Sequence, residues 1–314
     1  MAQSFAKILV PLDGSPRSEH ALAYAAALSQ PGSTVTLLHV AEPDASNPAM
    51  LEAVVATQTG VAPIDDAPQT TALTATTESW KSVFKGAVSS HVMFGDPKTE
   101  ILRDAADIGA DLIVCATHGR GVIGRWAFGS VADDLARSAT VPVLVIRAKD
   151  EEIEPVVASM TRIVFPYDGS ELAGSAQPLV ISLATELELP VHVISAYDPG
   201  PAGSMAGGMD NAYPVAAYAE LQNELEELSK EAASSAETAL KAAGLTVSSN
   251  VALGPAAFAI EDAIVDGDLV VMTSNGGGGV GRAVLGSVAE KLVRDGKAPV
   301  ILVPVNRTAK VAEA

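Results

Sequence analysis

The sequence has little cysteine, few aromatic residues and a deficit of positive charge. Its single cysteine, Cys115, has no partner for an internal disulfide. That excludes a cross-linked secreted scaffold and predicts a reducing, cytoplasmic setting. Aromatic residues make up 4% of the 314 positions and charged residues 18%, against 48% hydrophobic, which excludes a disordered chain and predicts a globular α/β protein. No apolar run approaches the roughly 20 residues of a membrane span. Met1–Lys7 leads directly into the strand-like Ile8-Leu9-Val10, leaving no room for a signal peptide. His20, His39, His91 and His192 share no metal-ligand spacing. With 20 Lys and Arg against 38 Asp and Glu, the net charge of −18 argues against nucleic acid as the main partner. A small anion survives that argument, because a glycine-rich loop and a helix N-terminus attract phosphate locally.

What the chain does have is a long internal repeat. Lys7-Ile-Leu-Val-Pro-Leu-Asp13-Gly-Ser15 returns as Arg162-Ile-Val-Phe-Pro-Tyr-Asp168-Gly-Ser170. Thr34–Pro43 returns as Pro190–Pro199, Asp111–Gly119 as Asp268–Gly276, Phe128–Asp133 as Leu285–Glu290, and Val141–Ile146 as Ala298–Val303. Five segments in one order, each 155 to 157 positions apart, describe a duplicated domain rather than a solenoid of short units. The acidic stretch Lys149–Pro155 has no counterpart and reads as linker. The expected domains are therefore 1–148 and 161–307, joined by 149–160.

Within each repeat, short β-branched runs alternate with helical stretches. Ile8–Leu12, Val35–Val40, Leu112–Ala116 and Val143–Ile146 are apolar on both faces, as buried parallel strands are. Ser15-Pro16 supplies an N-cap and a first-turn proline for an alanine-rich helix reaching Ser29. Leu221, Leu225, Leu228 and Ala232 predict an amphipathic helix over Ala217–Ala243 that lies on the sheet. The fold class is α/β: two doubly wound parallel-sheet sandwiches. Asn47–Thr77 and Pro201–Pro214, rich in small residues and proline, read as surface insertions.

The chemistry is concentrated after the fourth main strand. There Ala116-Thr-His118-Gly119-Arg120-Gly121-Val-Ile-Gly124-Arg125-Trp-Ala-Phe-Gly129-Ser130 is a strand end, a glycine-rich loop and a helix start. Ser130 with Asp133, and Ser287 with Glu290, have capping-box spacing. A helix starting there directs unpaired N–H groups and a positive dipole end outward, and glycines let that backbone approach a phosphate. Gly119-Arg-Gly121-Val-Ile-Gly124 matches the dinucleotide pattern in letters alone, since that fingerprint belongs after the first strand of its unit. The P-loop pattern fails too, because Arg125-Trp126 stands where Lys and Ser or Thr are required.

On these residues the chain resembles the universal stress protein family in its tandem two-domain form. ATP-binding members of that family carry G-x2-G-x9-G-[ST]. Gly119 with Gly129-Ser130, and Gly276 with Gly286-Ser287, fit its latter part, while the first glycine is replaced by Ala116 and by Thr273. The resemblance implies a Rossmann-like fold of the adenine nucleotide alpha hydrolase-like kind, with ATP, alone or with Mg²⁺, as ligand. It implies that Pro11 and Asp13, Val40, Ala116, His118, Gly119, Arg120, Gly129, Ser130 and Val131 surround the nucleotide in the first repeat. In the second repeat the same reasoning selects Pro166, Asp168, Ala196, Gly276, Gly286, Ser287 and Val288. It further implies that the two halves pair as an intrachain pseudo-dimer, and two chains pairing as a homodimer is compatible with it.

Three functions stay open at this point. A nucleotide-binding regulatory module rests on the two glycine loops. An enzyme would need a positioned base and metal carboxylates; Asp13 alone is an evident candidate, so hydrolysis is expected to be weak at most. An interaction protein on the same fold is favoured by loss of the first glycine in both loops. Asp13-Gly-Ser15 can also serve simply as a strand-to-helix turn, and Cys115 as core.

Overall fold

The structure, a computed structural model, describes residues 4–41, 68–118, 129–148, 153–200, 212–274 and 285–305; for His118 and residues 212–215 it gives the backbone alone. The chain divides into two compact units, Met1–Ser159 and Met160–Ala314.

In unit 1, β1 (Lys7–Leu12), β2 (Thr34–Ala41), β3 (Ala87–Phe94), β4 (Leu112–His118) and β5 (Val143–Ala148) pair in parallel in the order β3-β2-β1-β4-β5. Ile8, Leu9 and Val10, Leu37 and Leu38, and Leu112, Ile113 and Val114 are fully buried, as strands covered on both faces require. Helix α1 (Pro16–Leu28) packs on β1, β4 and β5. Ser15 caps it through its side chain, with Pro16 in the first turn. Helix α2 (Pro68–Trp80) packs on β2 and β3. Helices α3 (Pro97–Asp107) and α4 (Ser130–Ser138) pack on each other, and right-handed crossovers place them on the opposite face from α1 and α2.

Unit 2 repeats this plan. Strands β6 (Arg162–Pro166), β7 (Val191–Tyr197), β8 (Val247–Leu253), β9 (Asp268–Thr273) and β10 (Val300–Val303) are parallel in the order β8-β7-β6-β9-β10. Its helices are α5 (Glu171–Gly174), α6 (Gln177–Leu187), α7 (Ala212–Ala242), α8 (Ala256–Ala263) and α9 (Ser287–Asp295). The first helix of unit 1 is here broken into α5 and α6, with a proline in the first turn of α6. A buried ion pair fixes the start of the sheet: Arg162 Nε donates to Asp268 Oδ1 at 2.8 Å and Nη2 to Oδ2 at 2.6 Å.

Three sequence expectations need correction. The stretch Asn47–Thr77 is not all insertion, because Pro68 onward is helical; Leu73, Thr77 and Trp80 turn inward at intervals of four and three. Along α7 the buried stripe is Ala233, Ala236 and Leu240, whereas Leu228 is 56% exposed. The inward face is thus carried by small alanines that let the helix approach β7 and β8. The capping boxes do not form. Gly129 and Gly286 are the N-caps, and neither helix has a side-chain cap hydrogen bond. Ser130 and Ser287 are the first helical residues, while Asp133 turns to Arg137, which donates to it from Nε at 2.9 Å.

Residues 42–67, 119–128, 149–152, 201–211 and 275–284 lie outside the described residues, and with them Gly119, Arg120 and Gly276. The described part of the linker follows unit 1, where the Ala158 N–H donates to the Ala23 carbonyl at 2.9 Å.

Candidate functional site

In a sheet ordered 3-2-1-4-5, the chain leaves the central strand in opposite directions, and a crevice opens at the carboxyl ends of β1 and β4. Unit 1 has a cavity of about 330 Å³ at that place. It is lined by Pro11, Leu12 and Asp13 at the end of β1, His39 and Val40 at the end of β2, and Cys115 and Ala116 on β4. The N-terminal turn of α4, Gly129 to Ala132, closes one side, and Pro97 and Ile101 of α3 close another. Ser18 of α1 completes the wall. All seven residues expected here from sequence whose side chains are described, namely Pro11, Asp13, Val40, Ala116, Gly129, Ser130 and Val131, line this one cavity.

The corresponding cavity in unit 2 is about 130 Å³. Pro166, Asp168, Ala196, Gly286, Ser287 and Val288 line it together, so the expected residues again converge. It is narrower for a reason visible in its walls. Tyr167 takes the place of Leu12, Met272 that of Cys115 and Thr273 that of Ala116. Each exchange adds atoms to the space, and Thr273 is buried and cannot swing clear.

Asp13 is held in a turn. Its Oδ1 accepts the Ser15 N–H at 2.9 Å and the Ser15 hydroxyl at 2.6 Å, and Asp168 does the same with Ser170 at 3.0 and 2.6 Å. Burial works against ionisation of Asp13, yet the bonds from Ser15 prevail and hold its carboxyl below the usual value, so it is an anion at neutral pH. It is the one acidic side chain lining the cavity, and no lysine or arginine lines it among the described residues. Positive potential comes instead from the backbone. With Gly129 as N-cap, the start of α4 has no side-chain cap hydrogen bond among the described residues, and the positive end of its dipole lies in the cavity wall. The Asp133 N–H is taken by the Gly129 carbonyl at 3.0 Å.

The second flank is positioned by α3. Asp96 caps this helix, its Oδ2 accepting the Thr99 N–H at 3.0 Å. Lys98 of α3 forms an ion pair with Asp134 of α4, and that bond raises the Lys98 pKa. The pair ties together two neighbouring helices that both line the cavity. Pro97 and Ile101 had a sequence signal, an Asp-Pro helix start with an apolar residue one turn on, but nothing local linked it to the glycine loop. Cys115 sits in the cavity floor at 4% exposure, and burial pushes its thiol up to about 12. Among the described residues no group of three or more His, Cys, Asp or Glu side chains could hold a metal ion. Among them, too, no helix is long and apolar enough to cross a membrane.

The fold and site together define a protein of two doubly wound α/β units, each with a crevice at its switch point. The chain belongs to the Universal stress protein family, whose sequence profile matches residues 4–147 and again 160–304, giving the tandem two-domain form. A universal stress protein from Archaeoglobus fulgidus superposes with a TM-score of 0.60 at 20% identity, covering 97% of this chain and 99% of that one. PA1789 of Pseudomonas aeruginosa superposes with a TM-score of 0.59 at 16% identity, covering 96% and 93%. At these identities the likeness establishes the fold. In sequence, SH1215 of Staphylococcus haemolyticus, which carries the family's name, is 37% identical over 75 residues, or 23% of this chain. The matched stretch spans 46% of that relative, so the chain covers less than half of its length.

Proposed function

We propose that unit 1 binds an adenine nucleotide, ATP with or without Mg²⁺, and that occupancy serves a regulatory role in a stress response rather than turnover. The supporting observation is the composition of the unit 1 cavity. One apolar side, with Val40, Ile101, Cys115 and Ala116, suits a flat base; Asp13 offers an acceptor for ribose hydroxyls; and the uncapped start of α4 offers N–H donors for phosphate. At about 330 Å³ the cavity lies at the lower end of the range typical of small-ligand sites, whereas about 130 Å³ in unit 2 lies below it. Unit 2 is accordingly the weaker or non-binding copy.

His118, Gly119 and Arg120 in unit 1, and Gly276 in unit 2, belong to this proposal as nucleotide-contacting residues. The site contains the groups that binding needs and few that hydrolysis needs. Among the described residues Asp13 is its only carboxylate, and that carboxylate is occupied by Ser15. A thermal shift assay with a parallel phosphate-release assay tests the proposal. Mg·ATP at 100 times its Kd stabilises the binding unit by about 2.7 kcal/mol, roughly 5–11 °C for a domain of this size. Release of phosphate is expected to stay near background. No shift at millimolar Mg·ATP overturns the nucleotide assignment, and rapid turnover overturns the regulatory one.

A further inference from the structure

Unit 1 has a second chamber behind the first. A cavity of about 400 Å³ lies between the β1–α1 turn and the first turns of α2. Leu12, Ser18 and His39 line both this chamber and the switch-point cavity, so these three side chains form the partition between them. The far wall is one face of α2, with Gln69, Ala72, Leu73 and Thr76. The two units differ here. In unit 2, a Cβ placed on Gly169 would meet the Ala232 Cβ of the long helix α7 at 3.2 Å. In unit 1, a Cβ on the equivalent Gly14 would find its nearest neighbour among the described residues, His39 Cε1, only at 4.0 Å. Among the described residues, α7 fills a space in one unit that α2 does not fill in the other.

Among the described residues that line this chamber, Glu19 is the one acidic side chain, beside the polar Ser18, His39, Gln69 and Thr76. His39 Nδ1 lies 2.9 Å from the Leu12 carbonyl, which can only accept, so Nδ1 carries the proton and Nε2 of the neutral ring is an acceptor. Glu19 brings a carboxylate, which is reached by the Thr76 hydroxyl only at 3.5 Å. The Ser18 hydroxyl gives its own proton to the Ser15 carbonyl at 2.8 Å, leaving its lone pairs. Among the described residues no lysine or arginine lines the chamber, while Leu12, Ala72 and Leu73 supply an apolar wall. One carboxylate beside an apolar wall, in a chain of net charge −18, favours a cation with hydrogen-bond donors over a phosphate. We infer that this chamber is a second ligand site of unit 1, taking a small primary amine: an ammonium group toward Glu19 and His39, and a short alkyl body against Leu73 and Ala72. The inference does not depend on what occupies the switch-point cavity.

The test is a ¹H–¹⁵N NMR titration of the full chain with n-butylamine, using n-butyrate and n-butanol as controls of the same length. Butylamine is expected to move the Gly14 and Gln69 signals saturably, with a millimolar Kd as befits a five-atom ligand. Butyrate should leave them in place. Glu19→Gln keeps the shape, removes the charge and should weaken binding about threefold, as for a partly exposed ion pair. Ala72 is exposed, so Ala72→Phe fills the chamber mouth without entering the core and should abolish the saturable shift. Equal shifts with butyrate, a linear response to butylamine, or unchanged binding in Ala72→Phe would overturn the inference.

Discussion

Arg162→Ala isolates one buried contact whose loss can be put in numbers. The Asp268 side chain is fully buried, and it receives two bonds from Arg162 as well as the Val265 N–H at 2.9 Å. Arg162 Nη2 also reaches the Ala263 carbonyl at 3.1 Å. The bond to Asp268 raises the pKa of the guanidinium, so Arg162 stays charged throughout the physiological range. Removing one partner of a buried pair leaves the other charged and unmatched, at a cost of about 3–5 kcal/mol. Arg162 keeps 24% of its side chain exposed, so water can partly replace it, and about 3 kcal/mol is the better figure. For a unit of this size that lowers Tm by roughly 6–12 °C. The assay is thermal unfolding combined with amide exchange, in which the amides of β6 and β9 should lose protection together. Arg162→Lys should recover part of the loss, since a single ammonium cannot reproduce the fork. An Arg162→Ala protein that melts within about 1 °C of the parent would refute the reasoning, because it would mean that Asp268 is neutral or solvated.

Three further outcomes follow from the site. Ala116→Thr imports into unit 1 the side chain that narrows unit 2; overpacking of about 1–3 kcal/mol should weaken Mg·ATP roughly tenfold in calorimetry while leaving the fold intact. Cys115, with its thiol pushed up to about 12, should resist iodoacetamide at pH 8 in the native protein and react only on unfolding, as mass spectrometry would show. Asp13 is held below its unfolded value by Ser15, so its contribution to stability is present above about pH 4 and is lost as pH falls through the lower folded pKa. Asp13→Asn should therefore lose less Tm than the parent between pH 5 and pH 3, measured by circular dichroism.

β1, β2, β4 and β5 were legible because each is apolar on both faces, whereas the edge strands β3 and β8 carry Ser89, Ser90 and His91 or Ser248, Ser249 and Asn250 in their middles and lack that pattern. Ser15-Pro16 gave the start of α1 because cap and proline point to one boundary. At Gly129-Ser130 two adjacent residues both tolerate the N-cap position, and propensity alone does not choose between them. The structure takes the glycine, which leaves the first turn of α4 without a side-chain cap. Helix α2 escaped notice for a different reason. Its inward positions include Thr77, a residue of modest helix propensity, whose hydroxyl is satisfied within the helix by the Leu73 carbonyl at 2.7 Å. The motif residues at the site were legible from their repetition, whereas His39, Pro97 and Ile101 join it only through the sheet order and crossover geometry. Nothing in a linear pattern signals the open space beside Gly14, because it depends on how closely two different helices approach the same turn.

The nucleotide-binding claim is tested most directly by isothermal titration of Mg·ATP into the full chain and into its Gly129→Val and Gly286→Val variants, each checked for native melting. Gly129 is the N-cap of α4 in the wall of the larger cavity, and Gly286 holds the same place beside the smaller one. The account predicts saturable binding that is lost in Gly129→Val and largely kept in Gly286→Val. Absence of heat with the parent chain, or binding undiminished in Gly129→Val, would contradict it.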